Sequence, residues 1–185
     1  MGSTLAPLRR AQDGAEPAQG TRVHVVHDGE VLYVRFECED RDAWSTHLQR
    51  DAPLWEEEVV EVFLAPGEAD PAAYVEIEVN PGGAIFDARV ANPDGRRDTL
   101  ELDSRWDAPG LGVRVTRPET GIWRAEIALP WRDLDAVPLP PIWRANFFRI
   151  DRPRGEPPEF TCWSPTLTDP PDFHMPARFG RLILA

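Results

Sequence analysis

Residues 54–66 read LWEEEVVEVFLAP, and residues 74–80 read YVEIEVN. Apolar side chains recur at every second position in both segments, which is the period of a β-strand that buries one of its faces. Glu61 lies within the first strand, on the face opposite its apolar row. Because a loop rich in proline and glycine joins the two segments, we predict that they form neighbouring antiparallel strands.

The polar face of the second strand carries several groups that could bind a ligand. It consists of Tyr74, Glu76, Glu78 and Asn80. If the two strands pair, Glu61 lies close to Glu76 or Glu78, and carboxylates gather on one surface. A solvated sheet face is the simpler interpretation of this pattern, and a ligand-binding face is the alternative.

The rest of the chain repeats the strand pattern between frequent prolines and glycines. Residues 24–40 read as a hairpin that turns at Asp28-Gly29. Further strands are predicted at 84–90, 112–116, 122–129, 143–151 and 179–185, with one helical turn at 130–136 and long loops at 91–110 and 152–178. We therefore predict an all-β fold, a two-sheet antiparallel β-sandwich of the jelly-roll or immunoglobulin-like kind, with long loops and at most one or two short helical turns.

The length and charge of the chain restrict its organisation and its partners. A chain of 185 residues suffices for one domain with its own core. We assign residues 1–20 to a partly irregular N-terminal extension and residues 21–185 to a single domain. The formal charge is −12, from 32 acidic and 20 basic residues, and every basic residue is arginine. This balance disfavours nucleic acids and membranes as partners.

The N-terminus and the cysteines bear on the cellular compartment. The first residues lack the apolar segment of a secretory signal, and no run approaches the roughly 18 apolar residues of a membrane span. As written, the chain is expected in the cytoplasm, and a secreted location is the alternative if the native chain is longer. We predict that Cys38 and Cys162 are reduced, buried thiols, because they have no metal-binding spacing and are too few for a disulfide framework. The oligomeric state does not follow from the sequence.

Several aromatic residues could border the polar face. Trp55 immediately precedes the first strand, Trp163 lies in the late loop, and Phe173 and His174 follow in PPDFHMP. A sugar presents an apolar C–H face and a rim of hydroxyls, so its site needs flat aromatic side chains and rigid polar groups. Carboxylates suit hydroxyl donors, because a hydrogen bond to a charged oxygen is stronger than one between neutral groups. The set favours a neutral polyol as the ligand.

The carboxylates also permit other interpretations. Two Asp or Glu side chains about 5–10 Å apart can hydrolyse a glycoside, and Glu61 with Glu76 or Glu78 could meet that distance. The chain has many glutamates and no motif that marks one as a catalytic acid, so we expect no enzymatic activity and assign no catalytic residue. The acidic loops at 40–42 and around 94–107 could hold calcium or simply be solvated. No metal ligand is assigned.

Seven blocks, taken in order along the chain, resemble a family 9 carbohydrate-binding module, in the family 9-like bacterial branch of the DOMON-like superfamily. They are LYVRFECED (32–40), LWEEEVVEVFLAP (54–66), YVEIEVNPGGAIFDARV (74–90), WRAEIALPW (123–131), WRANFFRID (143–151), CWSPT (162–166) and FHMPARFGRLIL (173–184). The resemblance implies non-catalytic carbohydrate binding by a two-sheet sandwich, often with structural calcium, and a link to polysaccharide catabolism beside hydrolase domains. A DOMON-like domain without a sugar site, serving protein interaction or haem binding through an axial ligand such as His174 or a methionine, is the alternative.

The resemblance assigns aromatic and acidic residues to the sugar site. In the family, a tryptophan followed six residues later by a strand glutamate forms part of the site, and Trp55 and Glu61 match that spacing. A second aromatic side chain from a late loop encloses the sugar ring. Trp163 is the nearest match to that residue, and Phe173 is its competitor.

The resemblance to the family also indicates that this chain lacks an arginine hydrogen-bond donor at the sugar site. Sugar-binding members carry Arg-x-Asn on the next strand, where this chain has Glu78-Val79-Asn80, or Glu76-Ile77-Glu78 if the register moves by two. Asn80 is thus kept and the arginine is absent. We predict that Arg35 or Arg149 supplies the lost donor from a neighbouring strand. The predicted ligand-binding residues are Trp55, Glu61, Glu78, Asn80, Arg149, Trp163, Phe173 and His174.

Overall fold

The computed structural model describes residues 3–184, which form β-strands and short 3₁₀ helices. The strands are β1 (Ser3–Thr4), β2 (Arg9–Arg10), β3 (Thr21–His27), β4 (Val31–Glu39), β5 (Val59–Pro66), β6 (Ala73–Val79), β7 (Ile85–Ala91), β8 (Glu101–Asp103), β9 (Gly112–Glu119), β10 (Ile122–Pro130), β11 (Ile142–Asp151), β12 (Glu159–Cys162) and β13 (Gly180–Ile183). The 3₁₀ helices are Leu54–Glu56, Arg97–Thr99, Trp131–Leu134 and Pro176–Arg178. None of these described helices is long and apolar enough to cross a membrane.

The strands form two antiparallel sheets. The five-stranded sheet has the order β1-β3-β4-β10-β9. The eight-stranded sheet has the order β2-β12-β11-β5-β6-β7-β8, and β13 pairs with β11 beside β12. The predicted all-β sandwich of two antiparallel sheets is confirmed. The predicted helical turn is present at Trp131–Leu134, and the other three 3₁₀ helices add to the one or two turns that the sequence indicated.

The first hairpin shows how local sequence sets the strand ends. The Asp28 carboxylate oxygen Oδ1 accepts hydrogen bonds from the backbone N–H groups of Glu30 (3.0 Å) and Val31 (2.9 Å). Gly29 adopts φ = 95°, a left-handed conformation that favours glycine. The turn therefore ends β3 and starts β4, as the Asp-Gly pair predicted.

The N-terminal segment contributes to both sheets. β1 pairs with β3 in the five-stranded sheet, and β2 pairs with β12 in the eight-stranded sheet. Between and after these strands, Leu8 and Ala11 are fully buried. The described part of the segment assigned to an N-terminal extension thus packs as part of the sandwich.

Both faces of the eight-stranded sheet are buried. Its inner face packs against the five-stranded sheet and includes Val60, Val62 and Leu64 of β5. Its outer face forms a second apolar cluster, in which Phe63 of β5 packs beneath segment 163–179. That segment covers the outer face with apolar side chains such as Phe173 and Phe179. The polar face of β5 and β6 is therefore buried under a long loop rather than solvated.

Candidate functional site

The register of four strands places the glutamates of the outer face. Glu61 of β5 lies directly opposite Glu78 of β6. On either side of this pair, Phe148 of β11 is opposite Glu61 and Phe86 of β7 is opposite Glu78. Glu76 lies two residues before Glu78 and faces the same side. The sheet thus presents three carboxylates between two aromatic side chains.

The three carboxylates form a compact cluster, which we call the cavity cluster: Glu61, Glu76 and Glu78. One oxygen of each lies within 4.8 Å of one oxygen of each of the others. All three residues are buried, and no salt bridge reaches them within residues 3–184. The Oε2 atoms of Glu76 and Glu78 are buried without a hydrogen-bond partner. Any negative charge on the cavity cluster is therefore not balanced by a salt bridge to a cationic side chain.

The surroundings of the cavity cluster favour the protonated form. Burial, and then the neighbouring carboxylates, hold the pKa values of Glu61 and Glu78 well above their ordinary value. Burial raises the pKa of Glu76 to about 7. A buried carboxyl behaves in this way because desolvation and like charges both penalise its ionised form. The cluster can thus hold protons at neutral pH and supply both O–H donors and oxygen acceptors.

A cavity of about 650 Å³ opens above the cavity cluster. This volume lies within the range typical of small-molecule sites. Five of the eight predicted ligand-binding residues line the cavity, namely Trp55, Glu61, Glu78, Phe173 and His174. The late loop therefore brings Phe173 and His174 to the strand glutamates.

Trp55 and Phe173 provide aromatic surface beside the carboxylates. Trp55 belongs to the 3₁₀ helix that precedes β5 and is 42% exposed, and its ring meets Phe86 edge-on at a centroid distance of 5.2 Å. Phe173 stacks on Phe148 at 4.3 Å and is largely buried. Trp55 consequently offers an open ring face, whereas Phe173 contributes mainly an apolar wall.

His174 is fixed by the core rather than free. Its Nδ1 atom shares a 2.8 Å hydrogen bond with the Tyr74 hydroxyl, and its ring packs against Phe63. Burial, with Arg97 as the next contributor, lowers the pKa of His174 to about 4. The imidazole is therefore neutral at pH 7 and holds the late loop against β6.

Two arginines at the cavity were missed by sequence reasoning. Arg97 forms an ion pair with Asp172 (3.3 Å), and Arg152 donates through Nη2 to the backbone carbonyl of Trp55 (3.3 Å). Continuing the alternation of β11 by one residue would have placed Arg152 on the outer face. Arg97 begins a three-residue 3₁₀ helix within a segment that has no periodic pattern, so no sequence signal marked it. These residues, and not Arg35 or Arg149, are the guanidinium donors that border the cavity.

Asn80 does not line the cavity, which corrects its assignment as a hydroxyl-binding residue. Its Oδ1 accepts from the backbone N–H groups of Gly82 (3.0 Å) and Ala84 (3.0 Å), and its Nδ2 donates to the His47 carbonyl (2.7 Å). The amide is fully buried. Because the chain turns immediately after Asn80, its side chain stabilises the β6–β7 connection instead of following the strand face.

Arg149 also requires correction, because it lies on the inner face of the sheet. It belongs to a second buried group, the interior ion cluster: Asp40, Glu58, Arg149 and Asp151. The guanidinium donates to Asp40 (2.9 Å) and lies 3.7 Å from Glu58 and 3.5 Å from Asp151. Asp40 additionally accepts a hydrogen bond from the indole of Trp123 (3.0 Å) on β10. Arg149 thus ties the two sheets together and is not available to a ligand.

The assignment of Trp163 to the ligand site also requires correction. Its ring contacts Phe147 of the inner face edge-on at 5.8 Å and covers Gly180, where an added Cβ would lie only 2.3 Å from the indole. Because Cys162 faces the outer cluster, the next side chain along the strand points inward. Phe173 is therefore the late-loop aromatic residue at the cavity.

The loops considered for calcium have their carboxylates engaged by arginines. Asp42 pairs with Arg154, and Asp107 pairs with Arg50. Similar pairs in the loop before β9 join Asp98 to Arg96 and Asp103 to Arg105. Asp107 also lies in a group with Asp51 and Asp87 whose carboxylate oxygens are within 4.8 Å of one another. Calcium binding by these loops stays a prediction.

Comparison with known proteins places the chain in a family. The model of carbohydrate-binding family 9 matches residues 16–184. The chain therefore belongs to carbohydrate-binding family 9, a family of non-catalytic modules, and the resemblance to family 9 noted from its sequence blocks is confirmed. The bacterial branch and the DOMON-like superfamily stay predictions. An enzymatic role for the paired glutamates is accordingly not retained.

Individual relatives agree with this assignment. An extracellular protein of Arthroderma benhamiae is 27% identical over 179 residues, covering 91% of this chain and 80% of the relative. A crystal structure from Bacteroides uniformis, of a protein proposed to bind carbohydrate, superposes with a TM-score of 0.78 at 18% identity and covers 99% of this chain and 86% of that one. The family 9 module of Caldicellulosiruptor kristjanssonii in complex with cellotriose gives a TM-score of 0.62 at 14% identity, with 96% and 80% of the two chains covered. The same module has been solved with glucose, and 83% of that chain is covered. At these identities the solved structures show a common fold.

Proposed function

We propose that this chain binds a carbohydrate in the outer-face cavity. One observation carries the proposal: in a family 9 chain, a cavity with aromatic walls has three buried carboxyl groups at its floor, two of which have an unpartnered oxygen. Such oxygens need hydrogen-bond donors, since a buried polar group without a partner costs free energy. The hydroxyl groups of a sugar are donors of the required kind.

The side chains that line the walls of the cavity suit the apolar C–H face and the other oxygens of a sugar. The open face of Trp55 can contact the C–H groups of a pyranose ring, and Phe173 adds apolar surface near the floor. Arg97 and Arg152 can donate to ring or hydroxyl oxygens, which offsets the arginine that is absent beside Asn80. Phe173 replaces Trp163 as the second aromatic side chain in this proposal.

Calorimetric titration with glucose and cellotriose tests the proposal. We expect binding to the wild-type chain and at least a tenfold loss of affinity in Trp55→Ala, equivalent to about 1.4 kcal/mol. The matched control is Tyr33→Ala, because Tyr33 is 39% exposed and lies on the five-stranded sheet. Equal loss of affinity in both variants, or absence of binding by the folded wild-type protein to these sugars and to a glycan array, contradicts the proposal.

The setting of this activity is a further part of the proposal. We infer a role beside enzymes of polysaccharide catabolism, supported by family membership alone. The cytoplasmic location expected from the N-terminus stays a prediction. The fungal relative is named an extracellular protein, which supports the secreted alternative.

A further inference from the structure

The cavity cluster has the geometry of a site for one cation. Oxygens that share a calcium ion at 2.3–2.6 Å lie at most about 5 Å from each other. Glu61, Glu76 and Glu78 offer three oxygens that are mutually within 4.8 Å. They lie on two adjacent strands of one sheet, so their spacing is fixed by backbone pairing rather than by loop conformation.

The environment of the same carboxyl groups points to a missing positive partner. The Oε2 atoms of Glu76 and Glu78 are buried in residues that are only 3% and 1% exposed, and neither has a hydrogen-bond partner. Burial raises the pKa of Glu76 and the positive charge of Arg97 opposes this rise, but Arg97 forms its ion pair with Asp172. A buried carboxylate is normally paired or coordinated to a metal, because an isolated charge is costly in a poorly solvated site.

We propose that Glu61, Glu76 and Glu78 bind a divalent cation of the calcium type, and that this cation contacts the hydroxyl groups of the bound sugar. The second half of this inference rests on the proposed function, whereas cation binding itself does not. Three glutamates leave several of the six to eight coordination positions of calcium unfilled. The unfilled positions face the cavity, where vicinal hydroxyls can enter them.

The cation would also explain why an arginine is dispensable at this site. An arginine beside Glu61 supplies positive charge and hydrogen-bond donors to a ligand. Here Glu76 and Glu78 occupy the corresponding strand and add negative charge instead. A divalent cation restores positive charge at the floor of the cavity and replaces hydrogen-bond donation with direct coordination of oxygen.

The first experiment titrates the chelator-treated 185-residue chain with calcium chloride alone. We expect saturable binding by calorimetry and a rise of several degrees in the melting temperature at saturating calcium, because a ligand that binds only the folded state stabilises it. Glu78→Gln and Glu76→Gln should each weaken calcium affinity at least tenfold. Glu58→Gln is the matched control, since Glu58 is an equally buried glutamate in the interior ion cluster, and its calcium affinity should stay within twofold of the wild type.

Absence of heat and of a melting shift with calcium overturns the cation site. Calcium affinity that is equal in wild type and in both cavity variants also overturns it, because the ion then binds elsewhere. Circular dichroism checks that each variant is folded. If one cavity variant is unfolded, the other supplies the calcium affinity. Terbium luminescence gives a second readout, because a terbium ion in the cavity should be sensitised by Trp55 in the wild type and lose that luminescence in Trp55→Phe.

The second experiment measures glucose and cellotriose affinity in calcium and in chelator. At least tenfold weaker binding in chelator supports contact between the cation and the sugar. Equal affinity in both buffers overturns that contact and leaves the proposed sugar site intact. Calcium binding without sugar binding in either buffer supports the cation site and contradicts the proposed function, so the two failures are distinguishable.

Discussion

Each face of the eight-stranded sheet buries a cluster of three carboxyl groups, and the two clusters differ in their charged partners. The inner face holds the interior ion cluster, where Arg149 contacts Asp40, Glu58 and Asp151. The outer face holds the cavity cluster, which has no salt bridge from any residue within 3–184. Burial is similar in both places, so burial alone does not separate a structural carboxylate from a ligand-binding one. The two clusters differ instead in whether a cationic side chain lies beside the carboxyl groups.

The interior ion cluster is not fully neutralised either. One guanidinium faces three carboxyl groups, and burial, followed by the charge of Asp40, raises the pKa of Glu58 to about 9. Its remaining groups are held by directed bonds, such as the Trp123 indole to Asp40. In the cavity cluster, the Oε2 atoms of Glu76 and Glu78 have no hydrogen-bond partner, a feature shared by Glu58 Oε2 and Asp151 Oδ1 of the interior ion cluster. The two clusters differ in that only the interior one has a guanidinium within salt-bridge distance among residues 3–184.

The largest expected effect comes from removing the cation of the interior ion cluster. Arg149→Leu should lower the free energy of unfolding by about 3–5 kcal/mol, because it leaves buried carboxylates unpaired. Urea denaturation at pH 7 measures this change. Arg114→Leu, an exposed arginine on β9, serves as the control and should change stability little. A loss below 1 kcal/mol in Arg149→Leu would remove the contrast between the two faces.

A pH series should isolate the contribution of Glu58. Its pKa is raised in the folded state, so its protonated form stabilises the fold at low pH and this stabilisation is lost as pH rises towards 9. Between pH 6.5 and pH 9, the wild type should lose about 2 kcal/mol more stability than Glu58→Gln. The lowered pKa of His174 acts in the opposite direction only below pH 6.5, outside this window. Parallel stability curves for the two proteins would contradict the prediction.

Trp163→Leu tests whether this residue belongs to the inner face. Removing part of a packed indole should cost about 2 kcal/mol of stability through the space left against Phe147 and Gly180. Cellotriose affinity should remain within twofold of the wild type, in contrast to Trp55→Ala. A tenfold loss of affinity with unchanged stability would return Trp163 to the sugar site.

The smallest expected effect is an increase in stability, whereas Arg149→Leu and Trp163→Leu decrease it. Glu78→Gln in chelator at pH 8 should raise the free energy of unfolding by about 1 kcal/mol, because burial and the neighbouring glutamates oppose ionisation of Glu78 in the folded state but not in the unfolded state, and glutamine removes that cost. The same type of change in the interior ion cluster, Asp40→Asn, should destabilise the protein, since it weakens the bonds from Arg149 and Trp123. Thermal denaturation of both variants under one buffer decides the comparison, and loss of stability in Glu78→Gln would contradict it.

The sheet pairing at the centre of the site was predictable from the sequence. A strand has a period of two, and the short loop between 54–66 and 74–80 leaves an antiparallel neighbour as the simplest connection. This was enough to place Glu61 near Glu78 and Glu76, and it also separated the inner row of β5 from its outer row. Family resemblance added the correct fold and marked Trp55, which lies next to the same strand.

Strand alternation could not determine residues whose environment depends on distant segments. Asn80 continues the polar row of β6 in the sequence, yet it folds into a turn because the chain reverses there. Trp163 and Phe173 are both aromatic residues of one late segment, and only the path of that segment across the outer face decides which of them reaches the cavity.

The sequence by itself therefore determined most of the longer strands, the antiparallel pairing of β5 with β6 and the all-β class, because these depend on local alternation and short connections. Only the tertiary structure decided that the acidic face is covered rather than solvated. It also decided that Arg149 pairs with one group of carboxylates, whereas no arginine within residues 3–184 forms a salt bridge with the other. The physical reason is that burial and charge pairing are set by contacts between segments far apart in the chain, here β5, β6, β11 and the late loop, which alternation along a single strand does not encode.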